Sequence, residues 1–511
     1  MSEQSPQTAP NAQRLLWAGF MAILAAGVGF SIRGGILGQW AQLYGFTMTE
    51  LGGITGGGLT GFGIIILLSS FLADSLGYGK LMGLAFLTHL VSAVLTLAAG
   101  AAFAAGGKDA AYQCLFWGMF LFAIGNGIAE AVVNPLVATL FPKDKTHYLN
   151  ILHAGWPGGL IVGGLASTFM NGENPVSWEV QMSLFLIPVV AYGVMLLGQA
   201  FPKSEASAAG VSIGSMVQQL FAPLMIVLLI VHAMVGYVEL GTDSWISKIT
   251  GTIMESAQNG LLLFVYTSAL MFILRFFAGP IVHKISPLGL LCLSGVLGYV
   301  GLTMLGNSNG VTECVIAATI YALGKTFLWP TMLAVVSEQF PKGGAITIGA
   351  IGGVGMLSAG MLGGPGIGFK QDYNATAYLQ QDHQDVYERY KAPQESEFLG
   401  YKVTGLDGAK VGVLEDDGKE LARVTELLAK DGKENAAHAA LVEWWATASA
   451  TAADDKQPIA EAGIEGSRQA LRLTAYVPLT MAVLYLVLIL FFKSKGGYKA
   501  KDVSGSEAAA H

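Results

Sequence analysis

The chain has 511 residues, 53% of them hydrophobic and only 12% charged, with a mean hydropathy of +0.54. Soluble globular chains carry about 25% charged residues, so the composition excludes an ordinary water-soluble fold and points to a membrane protein. Much of the acidity behind the formal charge of −7 lies in one hydrophilic block, and no Lys/Arg cluster suggests a nucleic-acid surface.

The polar start, MSEQSPQTAPNAQ, precedes an apolar run too long for a cleaved signal peptide, so that run is read as a retained first span. Crossing about 30 Å of hydrocarbon takes roughly 20 residues. Twelve stretches qualify: 14–37, 50–73, 81–105, 112–140, 149–170, 180–200, 220–242, 259–282, 287–307, 312–339, 345–367 and 471–492. Connections on one side hold Arg14, Lys80, Lys143, Lys145, Lys203, Lys284, Lys342, Lys493, Lys495, Lys499 and Lys501. Short loops on the other side hold only Lys108 and Lys248, which places both termini in the cytoplasm of a cell inner (plasma) membrane. Cys114, Cys292 and Cys314 fall in or beside these spans and read as small buried hydrophobes.

Spans two, five and eleven carry small residues every four positions: Gly53, Gly57 and Gly61; Gly155, Gly159 and Gly163; Gly355, Ala359 and Gly363. That spacing lets helix backbones approach closely. Within span two, Gly56–Gly61 fits GxGxxG, and Gly324-Lys325-Thr326 ends like a phosphate loop; both lie in membrane spans and are rejected as nucleotide sites.

Residues 1–200 form a first six-helix unit, 201–219 a polar cytoplasmic linker, and 220–367 spans seven to eleven. A hydrophilic stretch, 368–470, separates span eleven from span twelve and its tail, 471–511. It is expected on the extracytoplasmic side as a cap, an assembly surface, a lid or a disordered loop. A hairpin is expected over Tyr401–Leu414, with helices near Lys419–Lys430 and Glu434–Ala450.

Span four holds the sharpest signal. Asn126, Glu130 and Asn134 stand four residues apart, which puts a polar stripe with a central carboxylate on one helix face. Ala123–Lys143 is echoed by Ala322–Lys342, with AIG/ALG at the start and FPK at the end, an offset of 199 residues. Two related halves with polar groups at mid-membrane describe a secondary transporter. In span ten Tyr321, Lys325 and Trp329 share a face, where aromatic rings beside a donor suit a sugar ring or form a packing stripe. Span seven offers His232, Glu239 and Asp243, the last two near its outer end. His89 and His153 stand alone in apolar surroundings and read as structural.

The turn Asp74-Ser75-Leu76-Gly77-Tyr78-Gly79-Lys80 resembles the loop signature of the major facilitator superfamily, echoed weakly around Arg275, Gly279, His283 and Lys284. The resemblance implies a gating latch involving Asp74, Gly77, Lys80 and Arg275, although Ser75 stands where a basic residue is usual. Glu130, Asn134-Pro135, Leu149-Asn150, Tyr237-Val238, Trp245, Arg275-Phe276 and Trp329-Pro330-Thr331, in this order, resemble the fucose/galactose/glucose–proton symporter branch. The likeness covers all twelve spans and leaves out 368–470. It implies that Glu130 holds a proton and senses a sugar.

The chain departs from that branch in span one, which lacks the acidic residue when aligned on Gly45-Phe46-Thr47; one turn before the aligned Ile36 stands Arg33. An arginine at that depth needs a carboxylate, a carbonyl or an anionic ligand. Pairing with Glu130, contact with an oxyanion substrate and snorkelling outward all remain open.

The expected architecture is all-α, two six-helix bundles with a soluble insertion. The expected function is proton-coupled import of a monosaccharide or similar solute, without cofactor, metal or nucleic acid, by a monomer. Arg33, Asn126, Glu130, Glu239, Asp243, Tyr321, Lys325 and Trp329 line the expected site. An organic-anion carrier and a non-transporting nutrient sensor are the alternatives.

Overall fold

Hydrophobic runs of this length form helices because a backbone in hydrocarbon must satisfy its own N–H and C=O groups. The computed structural model describes residues 10–503 apart from 45, 47–50, 52, 56–57, 172–175 and 432–435. Gly57 of the span-two ladder, Gly56 of the rejected motif, Gly45 and Thr47 of the alignment and Glu434 of the expected helix lie outside the described residues. Among the described residues, eleven helices are long and apolar enough to cross a bilayer. Span five makes the twelfth crossing in two pieces, Lys145–His153 and Gly155–Met170. Pro157 explains the interruption, since it has no N–H for the His153 carbonyl four residues earlier. The same cause splits span ten into Val311–Lys325 and Leu328–Gln339 ahead of Pro330. Span eight divides into Ala257–Arg275 and Ala278–Ile285 ahead of Pro280.

Spans one and two are Ala12–Tyr44 and Gly58–Leu76, and spans three and four are carried together by Tyr78–Leu97 and Ala99–Leu140. The connection expected at 106–111 is a single sharp break at Gly107, φ +72°, inside the last of these helices. Span six is Trp178–Leu196, span seven Pro223–Ile253 and span nine Pro287–Leu305. Span seven contains a π-helical turn, Tyr237–Gly241, and span eleven another, Ala359–Gly363. The two turns press together: a Cβ on Gly241 would lie 2.6 Å from the Gly363 Cα.

The glycine ladders do different jobs. Gly155, Gly159 and Gly163 lie against span one within the first half, where a Cβ on Gly159 would meet the Leu24 carbonyl at 2.3 Å. Gly355 and Gly363 likewise face span seven within the second half. Contact across the halves uses another face of span eleven, where Gly353 lies against Leu67 and Gly63 of span two. Gly61, counted in the span-two ladder, has open space where a Cβ would be.

The boundaries expected at 367 and 471 cut through helices. Gly364–Asp382 continues the helical path of span eleven past residue 367, and span twelve begins at Ala452 in a helix of 43 residues ending at Ser494. At the helical rise that is about 65 Å, roughly twice the hydrocarbon thickness. The two extensions form an antiparallel stalk, close enough that a Cβ on Gly466 would meet the Gln371 carbonyl at 2.6 Å. Leu379, Tyr387, Tyr390, Leu414 and Ile459 share a separate small core there. The expected hairpin is shorter: Tyr401–Val403 pairs with Ser396–Phe398, while Gly408–Glu415 is a helix whose N-terminus is capped by Asp407. Helices Lys419–Asp431 and Ala436–Ala448 occupy the expected runs. Arg389 grips the buried Asp455 through Nε (3.0 Å) and Nη2 (2.5 Å).

Candidate functional site

Span four supplies the spine of the site. Phe122, Asn126, Glu130 and Asn134 are all buried on one helical face, with about 6 Å of rise between successive members. A cavity of about 760 Å³ lies between the halves, lined by spans one, two, four and five on one side and seven, eight and eleven on the other. Beneath it is a water-sized space of about 30 Å³ bordered by Glu130, His153, Glu239, Arg275 and Trp329. Ala26, Phe62, Asn126 and Trp156 line both. Glu130 and Trp329 therefore border a small space that shares four wall residues with the large cavity.

The opposite end of the bundle is closed. Asn150 Nδ2 donates to Thr331 Oγ1 (3.3 Å), and Thr146 Oγ1 to Glu338 Oε1 (3.4 Å). Lys145 Nζ pairs with Glu205 of the linker at 3.1 Å, and His283 meets Asp144 at 3.1 Å. Asp74 accepts from Ser204 Oγ and, at 3.3 Å, from the Ala345 N–H at the start of span eleven. A carboxylate at a helix N-terminus is favourably placed by the helix dipole. Gly77 turns there with φ +85°, a conformation that glycine adopts without strain. Lys80 is exposed and forms no ion pair among the described residues.

Arg275, grouped by sequence with that turn, sits elsewhere. The turn between spans eight and nine is at Ser286, and Arg275 is buried well before it. Its Nη2 pairs with Glu239 Oε1 at 2.8 Å. Nη1 donates to the His153 carbonyl at 2.5 Å and Nε to the Thr326 carbonyl at 2.9 Å. Those two carbonyls lie four residues before Pro157 and Pro330, so one guanidinium satisfies acceptors that two prolines orphaned, in different halves of the molecule. Glu239 also accepts the Trp329 backbone N–H at 3.3 Å.

Glu130 has neutral company. Asn134 Nδ2 donates to its carboxylate and to its carbonyl, each at 3.0 Å. His153 Nε2 lies 2.8 Å from Asn134 Oδ1 and 3.6 Å from Glu130 Oε1. Asn126 does not bond Glu130; its Oδ1 meets His89 Nε2 at 3.0 Å.

Arg33 does not pair with Glu130 either. Only 8% exposed, it borders the large cavity with its guanidinium 4.8 Å from the Phe122 ring, and its Nε has no hydrogen-bond partner. Asp243 borders the same cavity but is paired with Lys325. Lys325 and Tyr321 border neither cavity, because the span-ten helix ends at Lys325 and the face expected to run through Trp329 is broken. The Tyr321 hydroxyl donates to the Val238 carbonyl at 2.6 Å. The Trp329 ring packs against His232 in a tilted arrangement, centroids 4.6 Å apart. His153, read from the sequence as a lone structural histidine, stands beside Glu130, and the aromatic walls Phe122 and Trp156 were not singled out by any sequence pattern.

No curated protein matches the chain in sequence. Solved structures share its fold at low identity. The E. coli fucose:proton symporter aligns with TM-score 0.57 and 17% identity over 72% of this chain and 93% of its own. A proton:xylose symporter bound to 6-bromo-6-deoxy-D-glucose gives 0.60 and 12% over 75% and 91%. A human organic anion transporter gives 0.58 and 12% over 94% and 100%. The sequence model of the Major Facilitator Superfamily, whose members are transporters rather than enzymes, matches residues 19–364, spans one to eleven. With twelve crossings in two halves around a central cavity, this multi-pass membrane chain belongs to the Major Facilitator Superfamily.

Proposed function

We propose that the protein is a secondary active importer that moves a monosaccharide or similarly small polar solute together with a proton by alternating access. The observation behind this reading is Glu130: a buried carboxylate on the cavity floor, held by an asparagine and a histidine instead of a lysine or arginine. Such a group can exchange a proton with solvent without breaking a strong ion pair. The charge asymmetry of the loops puts the termini in the cytoplasm, so the cavity opens outward and the sealed end faces inward.

In this cycle Glu130 takes a proton from the outer cavity and solute binds above it between the halves. The halves then rock on the span two–eleven and span five–eight contacts. The Asn150–Thr331 and Thr146–Glu338 bonds part, and the proton and solute leave inward. An ion gradient drives the cycle, with no cofactor, and a monomer in the plasma membrane is sufficient for it.

The test is external pH in lightly buffered, de-energised proteoliposomes as solute is added. Alkalinisation with the wild-type protein, absent in Glu130→Gln, supports the proposal. Uphill solute accumulation retained by Glu130→Gln would overturn the coupling role.

A further inference from the structure

Among the described residues, the large cavity contains an unbalanced charge. Its lining includes two charged side chains, Arg33 and Asp243, and Asp243 is already neutralised by Lys325. Arg33 is more than nine-tenths buried, has no ion-pair partner among the described residues, and leaves Nε unbonded. A desolvated cation without a counter-charge is costly, and such groups in membrane spans mark ligand sites. The floor below adds no compensation within reach of a shared hydrogen bond: Glu130 bonds Asn134, and Glu239 is taken by Arg275.

We infer that the substrate is a mono-anion, a hydroxylated carboxylic acid of monosaccharide size whose carboxylate pairs with Arg33, imported with one proton on Glu130 so that the step is electroneutral. This rests on the proton-coupled reading above. A guanidinium is a planar fork of donors that matches a carboxylate, and the Arg33 one lies 4.8 Å from the Phe122 ring centroid, a cation–π contact. Ser31, Thr55 and Ser244 border the same cavity with their hydroxyl protons given to backbone carbonyls, so they offer acceptors to substrate hydroxyls, while Asn126 Nδ2 and Ser247 offer donors. A dianion fits worse, because a single cation balances one charge and Asp243 stands across the cavity.

Charge balance also gives Glu130 a purpose. An inside-negative potential opposes entry of an anion, and one co-transported proton removes that opposition. The groups facing Glu130 from neighbouring spans are His153, Trp329 and the internally balanced Glu239–Arg275 pair. The site therefore changes by a single charge when Glu130 gains or loses its proton.

The experiment is uptake by proteoliposomes of matched probes, D-glucuronate against D-glucose and D-galacturonate against D-galactose. The pH gradient is imposed separately from a valinomycin-set potassium potential. Protein-free vesicles control for entry of the undissociated acids. The expected result is acid uptake driven by the pH gradient and unmoved by the potential. Arg33→Gln should raise the acid's half-saturation by about 10- to 100-fold, and Arg33→Lys should restore part of it. Arg33→Gln that has merely misfolded is recognised by loss of a monodisperse, cooperatively melting species in detergent; phenylglyoxal labelling of Arg33 in the wild type, blocked by D-glucuronate and not by D-glucose, then serves instead, and equal blocking by both overturns the inference. Neutral sugars taken up with a potential-sensitive, Glu130-dependent proton flux, indifferent to Arg33→Gln, would overturn the inference and leave proton coupling standing. Proton flux that persists in Glu130→Gln would overturn the coupling reading and this inference together.

Discussion

Glu130 and Glu239 border the same small space from opposite halves of the molecule, at 5% and 3% exposure, yet they are built into different circuits. Glu239 sits on a π-helical turn and is locked by Arg275, whose remaining donors hold two proline-orphaned carbonyls. Glu130 sits on a regular helix beside an amide and an imidazole. Burial alone does not assign a job to an acid; the counter-charge does. Glu239 is held by a counter-charge whose other donors reach across to the first half, and Glu130 forms no Lys or Arg ion pair among the described residues.

Stability should separate the two most strongly. Glu239→Gln or Arg275→Met strands the partner and should cost about 3–5 kcal/mol, read as a lower melting temperature in detergent. The double replacement should recover part of that loss. Glu130→Gln should cost no more than about 1 kcal/mol, since an amide can keep the Asn134 contact. Equal losses at both acids would erase the contrast.

In transport the order should reverse: Glu130→Gln should abolish uphill accumulation while leaving counterflow measurable. Deletion of counterflow as well would show that Glu130 is needed for solute binding itself. A smaller effect is expected at the moving contact. Gly353→Ala puts a methyl 2.6 Å from Leu67 across the halves and should slow turnover, at a cost of about 1–3 kcal/mol, with binding intact. Gly61→Ala, facing open space, should be silent by the same assay.

The smallest effect concerns the stalk and the small core beside it, away from both acids. The Arg389 hydrogen bond holds the exposed Asp385 carboxyl below its ordinary value. Such a depressed group contributes stability above the ordinary aspartate value near 4 and loses it as pH falls through the folded value. Hydrogen exchange across 384–390 should therefore quicken slightly only in that acid range. Quickening that starts near pH 6 would point to a different group.

Hydropathy made the crossings legible, because hydrocarbon leaves a long apolar segment no alternative to helix. The four-residue spacing of Asn126, Glu130 and Asn134 made the span-four stripe legible for the same local reason. Tyr321, Lys325 and Trp329 obeyed that spacing too, but Pro330 ended the helix between them, and Lys325 turned to Asp243. Arg275 resembled a loop charge because its motif was read against distance along the chain; the actual turn lies at Ser286. The ends of spans eleven and twelve were cut short because hydropathy marks where a helix leaves lipid, not where it stops.

By itself, then, the sequence determined what each segment must do alone: cross the membrane, bend at proline, approach closely at glycine, or carry a polar group at depth. These follow from backbone hydrogen bonding and side-chain volume within a few turns of one helix. Which charges neutralise one another was decided only by the tertiary structure. Arg275 reaches His153, Thr326 and Glu239, and Lys325 reaches Asp243, across long separations in the chain. Arg33 is left without an ion-pair partner among the described residues, and no local pattern could show it, because pairing is a property of the assembled cavity.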